Sequence, residues 1–201
     1  MQKEIFEQPR ALRNCMRGRI DLHEGRVVLG GLKSFEKELV RSRRVVICGQ
    51  GTALHAGMIG EYLFEQLATI PCEVEYASEL RYRNPIVEDG VVAIAVSQSG
   101  ETADTLSALQ EVRDRGALSL GVVNVVGSTI ARETDAGVYL RAGPEIGVAS
   151  TKAFTAQVCV LTMISLWMAR RRYMGAQAVG ELLADLEAIP GHIERVLQLD
   201  A

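Results

Sequence analysis

The segment from Ser97 to Thr102 concentrates short polar side chains directly behind an apolar run. Its sequence, SQSGET, follows the run VVAIAV, which predicts a strand buried on both faces. The hydroxyl and amide groups that can bond an anion belong to Ser97, Gln98, Ser99 and Thr102. Gly100 lets the backbone approach closely, and no Lys or Arg is present, so dipoles and hydrogen bonds would hold the charge. This chemistry suits a phosphate monoester.

The elements that must position this SQSGET loop follow from the periodicity of the chain. Short β-branched runs alternate with longer amphipathic stretches, which is typical of a doubly wound parallel sheet. Strands are predicted at 44–48, 72–76, 91–96, 119–123 and 137–140. Helices are predicted at 2–16, 32–40, 55–67, 78–83, 102–115, 129–133, 150–172 and 177–197, while 18–31 is left as a loop. We therefore predict an α/β fold, a three-layer αβα sandwich with a five-stranded parallel sheet and extra flanking helices.

This layout places the SQSGET loop at the ligand-binding edge of the sheet. Ligands of open α/β sheets bind outside the carboxyl ends of the strands. A helix that begins near Glu101 or Thr102 would present unpaired backbone N–H groups and the positive end of its dipole. In the alternative interpretation Ser99 is only an N-cap, but one cap does not require four hydroxyl residues and a glutamine.

Composition limits the class of protein. The chain has 201 residues, 48% of them hydrophobic, with a net charge of -3, which fits a soluble domain and disfavours nucleic acid as a partner. The longest apolar stretch, 158–169, is interrupted by Thr162 and Ser165, so we predict no membrane span. The cysteines form no CxxC pair and indicate reduced thiols in the cytoplasm; they are Cys15, Cys48, Cys72 and Cys159. We predict no metal and no cofactor.

Three longer stretches resemble the sugar isomerase (SIS) domain family, in particular the first SIS module of the glucosamine-6-phosphate synthases, the glutamine:fructose-6-phosphate amidotransferases. They are MQKEIFEQP at 1–9, SQSGETADTL at 97–106 and GPEIGVASTKAFTAQ at 143–157. Their length, their order and their spread over nearly the whole chain make the resemblance specific. It implies a SIS domain, flavodoxin-like in topology, that binds fructose-6-phosphate and glucosamine-6-phosphate.

The resemblance also implies which positions hold the substrate. The family's phosphate loop matches Ser97, Gln98, Ser99 and Thr102. The family's CGTS loop corresponds to a CGQGT loop at 48–52, where the shared HAG that follows aligns Thr52 with the threonine and Ala53 with the serine. One hydroxyl is therefore lost, and Gln50 replaces the family's cysteine. An EIGVAS loop at 145–150 adds Val148 and Ser150 beside the sugar.

Other polar residues have a structural interpretation beside a functional one. His55 could act as an acid or base, but a packed or capping histidine is the simpler interpretation. Lys152 could contact a carboxylate or solvent, since the family's imine-forming lysine comes from its C-terminal tail. Glu101 could be a base, but it more simply complements the dipole of its own helix. The arginines in ARRRY at 169–173 are expected to form a solvated helix end.

Several parts of the family's proteins have no counterpart in these 201 residues. In the family a glutaminase domain precedes this module, and a second SIS module with a tail supplies the catalytic glutamate, histidine and lysine. We therefore expect an excised domain without catalytic residues of its own. We divide it into a leading helix and loop (1–31), the SIS domain (32–173) and a helix toward the missing second module (174–201).

The expected function follows from this assignment. The parent protein would make glucosamine-6-phosphate and glutamate from fructose-6-phosphate and glutamine, while this part anchors the sugar phosphate and is inactive alone. We expect a homodimer, with 158–169 as the candidate contact unless that segment is core. Two alternatives stay open: a phosphosugar isomerase or fructosamine-6-phosphate deglycase on the same scaffold, or a regulatory domain that senses a phosphosugar or nucleotide sugar.

Overall fold

The structure is a computed structural model that describes residues 1–200, with a parallel sheet at its centre. The strands are β1 (Ile20–Asp21), β2 (Arg26–Val27), β3 (Arg44–Gly49), β4 (Cys72–Tyr76), β5 (Val91–Ser97), β6 (Leu118–Val123) and β7 (Ala136–Tyr139). The last five form the sheet in the order β4-β3-β5-β6-β7, and all neighbours are parallel. The predicted fold class is confirmed. The segment 18–31, predicted as a loop, contains the antiparallel β1-β2 hairpin. Its strands have two residues each and are too short to show an alternating pattern in the sequence.

Helices connect the strands and flank the sheet. They are α1 (Gln2–Met16), α2 (Glu36–Arg41), α3 (Thr52–Leu63), α4 (Ala77–Leu80), α5 (Ala103–Asp114), α6 (Thr129–Glu133), α7 (Lys152–Arg172) and α8 (Ala176–Leu197). Each corresponds to a predicted helix. The helix predicted at 32–40 begins as a 3-10 segment, Gly30–Phe35, and the end of the one predicted at 55–67 is a π-helical turn, Phe64–Ala68.

The sheet is covered on both faces, and alternate residues of its strands face the two layers. On β3, Val45 and Ile47 pack with α3, α7 and α1, whereas Val46 and Cys48 pack with α4, α5 and α6. Every residue of β5 is buried. The near-continuous apolar strand runs are therefore explained by burial on both sides.

Helix α7 is the central helix of one layer. It has the length and hydropathy of a membrane span, but 78% of its apolar window is buried inside the domain. Trp167 is 1% exposed, and most of the segment 158–169 is core. This segment is therefore not the dimer contact suggested from the sequence, because its side chains are already covered by α1, α3 and the sheet.

The arginines that end α7 are half-buried, and two of them contact other parts of the protein, which corrects the expectation of a solvated helix end. Arg171 stacks on the Trp167 ring with 3.9 Å between its guanidinium carbon and the ring centroid, and it also pairs with Glu36. Arg172 donates to the carbonyls of Val40 and Ser42. These contacts fasten the end of α7 to the segment that leads into β3, at the amino end of the sheet.

Candidate functional site

A cleft opens at the carboxyl ends of β3 and β5. These strands are neighbours, and the sheet extends from β3 to β4 on one side and from β5 to β6 on the other. Open α/β sheets bind ligands where the strand order reverses in this way. The cleft has a volume of about 180 Å³. It is lined by all the predicted substrate residues, Thr52, Ser97, Gln98, Ser99, Thr102, Val148 and Ser150.

The hydroxyl groups of the SQSGET loop hold its shape. Ser97 Oγ accepts a hydrogen bond from the N–H of Gly100 at 3.0 Å and lies 3.2 Å from Thr102 Oγ1. Ser99 Oγ accepts from the N–H of Glu101 at 3.1 Å. A hydroxyl that accepts one bond still has its own hydrogen to donate. Ser99 is also not the N-cap of α5, because Thr102 occupies that position without a side-chain cap bond.

Gly100 is required by the path of the same loop. Its φ is +68°, and a Cβ at this position would lie 2.1 Å from Ser128 Oγ. Its carbonyl accepts a bond from the N–H of Ile130 at 3.0 Å, which joins the loop to α6. Both the backbone conformation and the close approach exclude a larger residue.

Two helices begin at the cleft and provide unpaired donors. Helix α3 starts at Thr52, directly after Gly51 with φ +56°, and α5 starts after Thr102. Within residues 1–200, the N–H groups of Thr52, Ser99 and Thr102 bond to no other backbone group. Helix N-termini with such donors attract anions. The cleft lining contains no Lys or Arg within the described residues, so these dipoles are its source of positive potential.

The EIGVAS loop forms the opposite wall of the cleft. Glu145 accepts bonds from Ser150 Oγ at 2.8 Å and from the N–H groups of Thr151 and Ala153 at 3.0 and 3.2 Å, which caps the start of α7. Glu145 is the charged residue of the lining, and these bonds engage both of its carboxylate oxygens. Val148 stands fully exposed at the rim of the cleft.

A carboxylate from α1 fixes the middle of this loop from outside. Glu4 is only 7% exposed and accepts hydrogen bonds from the N–H groups of Ile146 and Gly147 at 2.6 and 3.1 Å. These backbone bonds lower the pKa of Glu4 to about 2, so the carboxylate is charged at neutral pH. The N-terminal helix therefore positions one wall of the cleft, although it lies 142 residues away in sequence.

Lys152 contacts a carboxylate, as one of its two structural interpretations predicts. Its side chain is buried and pairs with Glu7 of α1, whose pKa it lowers. His55 is neither packed nor in the lining of the cleft; it is exposed on α3, which corrects the expected packed or capping role. Neither residue lies where a catalytic group would meet a ligand in this cleft.

Glu101 caps a neighbouring helix instead of complementing its own. Its carboxylate accepts bonds from the N–H and the hydroxyl of Thr129, both at 2.7 Å, at the start of α6. These bonds lower its pKa. The expectation that it serves the dipole of α5 is therefore wrong, and its role is to join the SQSGET loop to α6.

The cysteines take no part in the cleft. Cys48 lies in β3, and burial raises the pKa of its thiol to about 12, so it is not a nucleophile. Across the described residues all cysteines are free and buried, as their spacing predicts. No cluster of His, Cys, Asp and Glu in residues 1–200 could hold a metal ion.

Sequence reasoning missed several residues of the lining. Gln50 lies at the rim, 3.5 Å from Asp104 through its side-chain nitrogen, and Gln157 lies on α7 with 1% exposure. Glu145 and Gln157 both lie in the stretch 143–157, which resembles the family. Their residue types alone do not show that Glu145 caps a helix or that Gln157 lines the cleft.

The sequence and the fold agree on one family. The profile of the SIS domain matches residues 38–166, and the chain belongs to the SIS domain family. It is 52% identical over 198 residues to glutamine--fructose-6-phosphate aminotransferase [isomerizing] of Chlorobaculum tepidum. It is 48% identical over 200 residues to glutamine--fructose-6-phosphate aminotransferase [isomerizing] 2 of Homo sapiens. These matches cover 98% and 100% of this chain but 32% and 29% of the relatives, so the chain spans about a third of their length.

Solved structures give the same result. The C-terminal domain of glucosamine-fructose-6-phosphate aminotransferase from Francisella tularensis superimposes with a TM-score of 0.93 at 37% identity, covering 100% of this chain and 56% of that one. Glucosamine-6-phosphate deaminase from Thermotoga maritima gives a TM-score of 0.70 at 20% identity, covering 94% and 53%, which shows a shared fold only. The chain is thus a SIS module similar to part of the aminotransferases.

Proposed function

We propose that this chain anchors the phosphate of fructose-6-phosphate and glucosamine-6-phosphate in the cleft between the SQSGET and EIGVAS loops. The observation that carries the proposal is the meeting of hydroxyls and unpaired N–H groups at the starts of α3 and α5. In the proposed complex the phosphate lies on Thr52, Ser97, Gln98, Ser99 and Thr102, and the sugar extends past Val148 and Ser150. The methyl group of Ala53 leaves the CGQGT wall with one fewer hydroxyl than the family loop.

The proposed role of the cleft is orientation. Phosphate binding at a distance from the reacting carbons fixes the position of the substrate, and that binding energy is available to the reaction step. We assign no catalytic residue to this chain, because His55, Lys152 and Glu101 point to or contact other parts of the structure. The isolated chain is expected to bind weakly and to form no product.

We further propose that the chain works inside a longer cytoplasmic enzyme that converts fructose-6-phosphate and glutamine into glucosamine-6-phosphate and glutamate. The names of the relatives support this assignment, as does the identity of about half the residues over the full chain. A glutaminase domain and a second SIS module would supply ammonia and the catalytic groups, and we expect a homodimer. The division into 1–31, 32–173 and 174–201 stays part of this proposal.

Calorimetric titration tests phosphate anchoring. Fructose-6-phosphate and inorganic phosphate are titrated into the protein and into Ser99→Ala and Thr102→Ala. Each variant removes one hydroxyl donor, so affinity for both ligands should fall about three- to tenfold. Ser107→Ala is the matched control, because Ser107 is also on α5 but outside the cleft. Unchanged affinity in both cleft variants would refute anchoring by this loop.

A product assay tests the proposed parent enzyme. The full-length protein should form glucosamine-6-phosphate only when glutamine or ammonia is supplied with fructose-6-phosphate. Conversion of fructose-6-phosphate to an isomeric sugar phosphate, with no glucosamine-6-phosphate formed even when glutamine or ammonia is supplied, would indicate a different enzyme on the SIS scaffold. Binding without any turnover by the full-length protein would indicate a regulatory domain instead.

A further inference from the structure

Gln157 has a buried side chain whose carbonyl oxygen is unpaired within the part of the chain that the structure describes. It lies on α7, is 1% exposed, and lines the cleft. Its Oε1 atom is buried without a hydrogen-bond partner within residues 1–200. Buried amide groups in folded proteins are nearly always paired, so one that is not requires an explanation.

A packing role does not explain this side chain. Its neighbours on α7 include Ala153, Ala156 and Val160, which are fully buried and apolar, so a leucine or methionine would suit the position better. Two other buried polar residues of α7 show the ordinary solution: Ser165 Oγ donates to the carbonyl of Leu161, and Lys152 pairs with Glu7. Within residues 1–200, the Oε1 atom of Gln157 has no such partner.

The position of Gln157 supplies the explanation. Ser150 lies just before α7 and Gln157 lies within its first two turns, and both side chains line the cleft. Ala53 and Val96 line the cleft with it, and both are buried and apolar. A ligand group at this depth would therefore find in Gln157 a polar partner that the surrounding wall does not offer.

We propose that Gln157 determines specificity for a hydroxylated sugar phosphate by hydrogen bonding a sugar hydroxyl at the floor of the cleft. This inference rests on the proposed function and extends it from the phosphate to the sugar. A carboxamide can both donate to and accept from a hydroxyl, whereas an apolar side chain can do neither. Inorganic phosphate, which has no sugar, would be bound by the SQSGET loop without reaching Gln157.

Gln157→Leu in the full-length protein tests the inference by comparing two ligands. Affinity for fructose-6-phosphate should fall about tenfold, while affinity for inorganic phosphate stays unchanged. The melting temperature of the ligand-free protein should stay equal or rise, because the unpaired buried amide is removed. A purely structural glutamine would instead lower the melting temperature and leave the ratio of the two affinities unchanged. That result would overturn the inference.

Two further variants keep the test decisive. Gln157→Asn keeps a carboxamide and adds no charge, so it should retain more affinity for fructose-6-phosphate than the leucine variant. Ser165→Ala is the matched control on α7, because its hydroxyl is paired internally; it should lower stability without changing either affinity. If the unsubstituted protein binds no fructose-6-phosphate, the proposed function and this inference both fail. If it binds and Gln157→Leu binds equally well, only the inference fails.

Discussion

The two walls of the cleft are held in place by different means. The SQSGET loop is shaped by bonds between its own hydroxyls and backbone, and by a glycine at its tightest point. The EIGVAS loop is shaped by carboxylates: Glu145 within it and Glu4 from α1. The first wall is therefore held by its own residues and by α6, whose Thr129 lies 28 residues from Glu101, whereas the second depends on α1, 142 residues away.

This difference predicts which part of a ligand each wall controls. The SQSGET loop is held by its own bonds and by bonds to α6, so binding of a bare phosphate should not depend on the support from α1. The EIGVAS loop carries Val148 and Ser150, which lie where the sugar is proposed to extend. Weakening the support from α1 should therefore affect a sugar phosphate more than inorganic phosphate.

The largest effect is expected for Gly100→Ala. Its φ is +68°, and the added Cβ would lie 2.1 Å from Ser128 Oγ, so the loop must move to relieve the overlap. The free energy of unfolding should fall by about 3 kcal/mol, and binding of both fructose-6-phosphate and inorganic phosphate should be lost. Urea unfolding and calorimetric titration measure the two effects.

Gly116→Ala is the matched control for that substitution. Its φ is +97°, but a Cβ there would meet no heavy atom within 4 Å. Gly116→Ala should lower the free energy of unfolding by about 1 kcal/mol, because of the backbone conformation alone. Binding of fructose-6-phosphate and inorganic phosphate should be unchanged. If Gly100→Ala were no more destabilising than Gly116→Ala, the close approach of the SQSGET loop to Ser128 would not matter for the fold.

A smaller and more selective effect is expected for Glu4→Gln. A neutral amide holds the N–H groups of Ile146 and Gly147 less firmly than a carboxylate, so the EIGVAS loop loses part of its support. Affinity for fructose-6-phosphate should fall about fivefold, while affinity for inorganic phosphate stays unchanged. Glu38→Gln, exposed on α2, is the control and should change neither affinity. An equal loss of affinity for the two ligands would contradict the inference that the EIGVAS loop controls binding of the sugar and not of the phosphate.

The contrast between the walls also explains what the sequence could predict. The strands are visible because they are apolar throughout, and the SQSGET loop is visible because its polar groups are adjacent in sequence. The partners of Glu4 are not visible, since 142 residues separate it from Ile146 and only the packing of α1 against α7 brings them together. The partner of Glu101 is hidden for the same reason, because Thr129 belongs to another helix. Gln157 shows its unpaired state only in the folded protein.

The smallest expected effect is a pH dependence carried by Glu4. Its pKa is lowered from 4.5 to about 2 in the folded protein, so its contribution to stability is complete above pH 4.5 and is lost as pH falls toward 2. Glu4→Gln should therefore be less stable than the unsubstituted protein at pH 6, and the difference should shrink between pH 4.5 and 2. Urea unfolding across this range measures it.

Glu194→Gln separates this effect from acid sensitivity in general. The Glu194 carboxylate pairs with Arg13 at 2.6 and 2.7 Å, and this ion pair also lowers its pKa. Glu194→Gln should likewise be less stable than the unsubstituted protein at pH 6, and this difference in the free energy of unfolding should shrink in acid. Its affinity for fructose-6-phosphate should be unchanged, because Glu194 lies outside the cleft. If Glu194→Gln weakened binding as much as Glu4→Gln, the effect on the ligand would come from the anchoring of α1 as a whole and not from the two bonds to the EIGVAS loop.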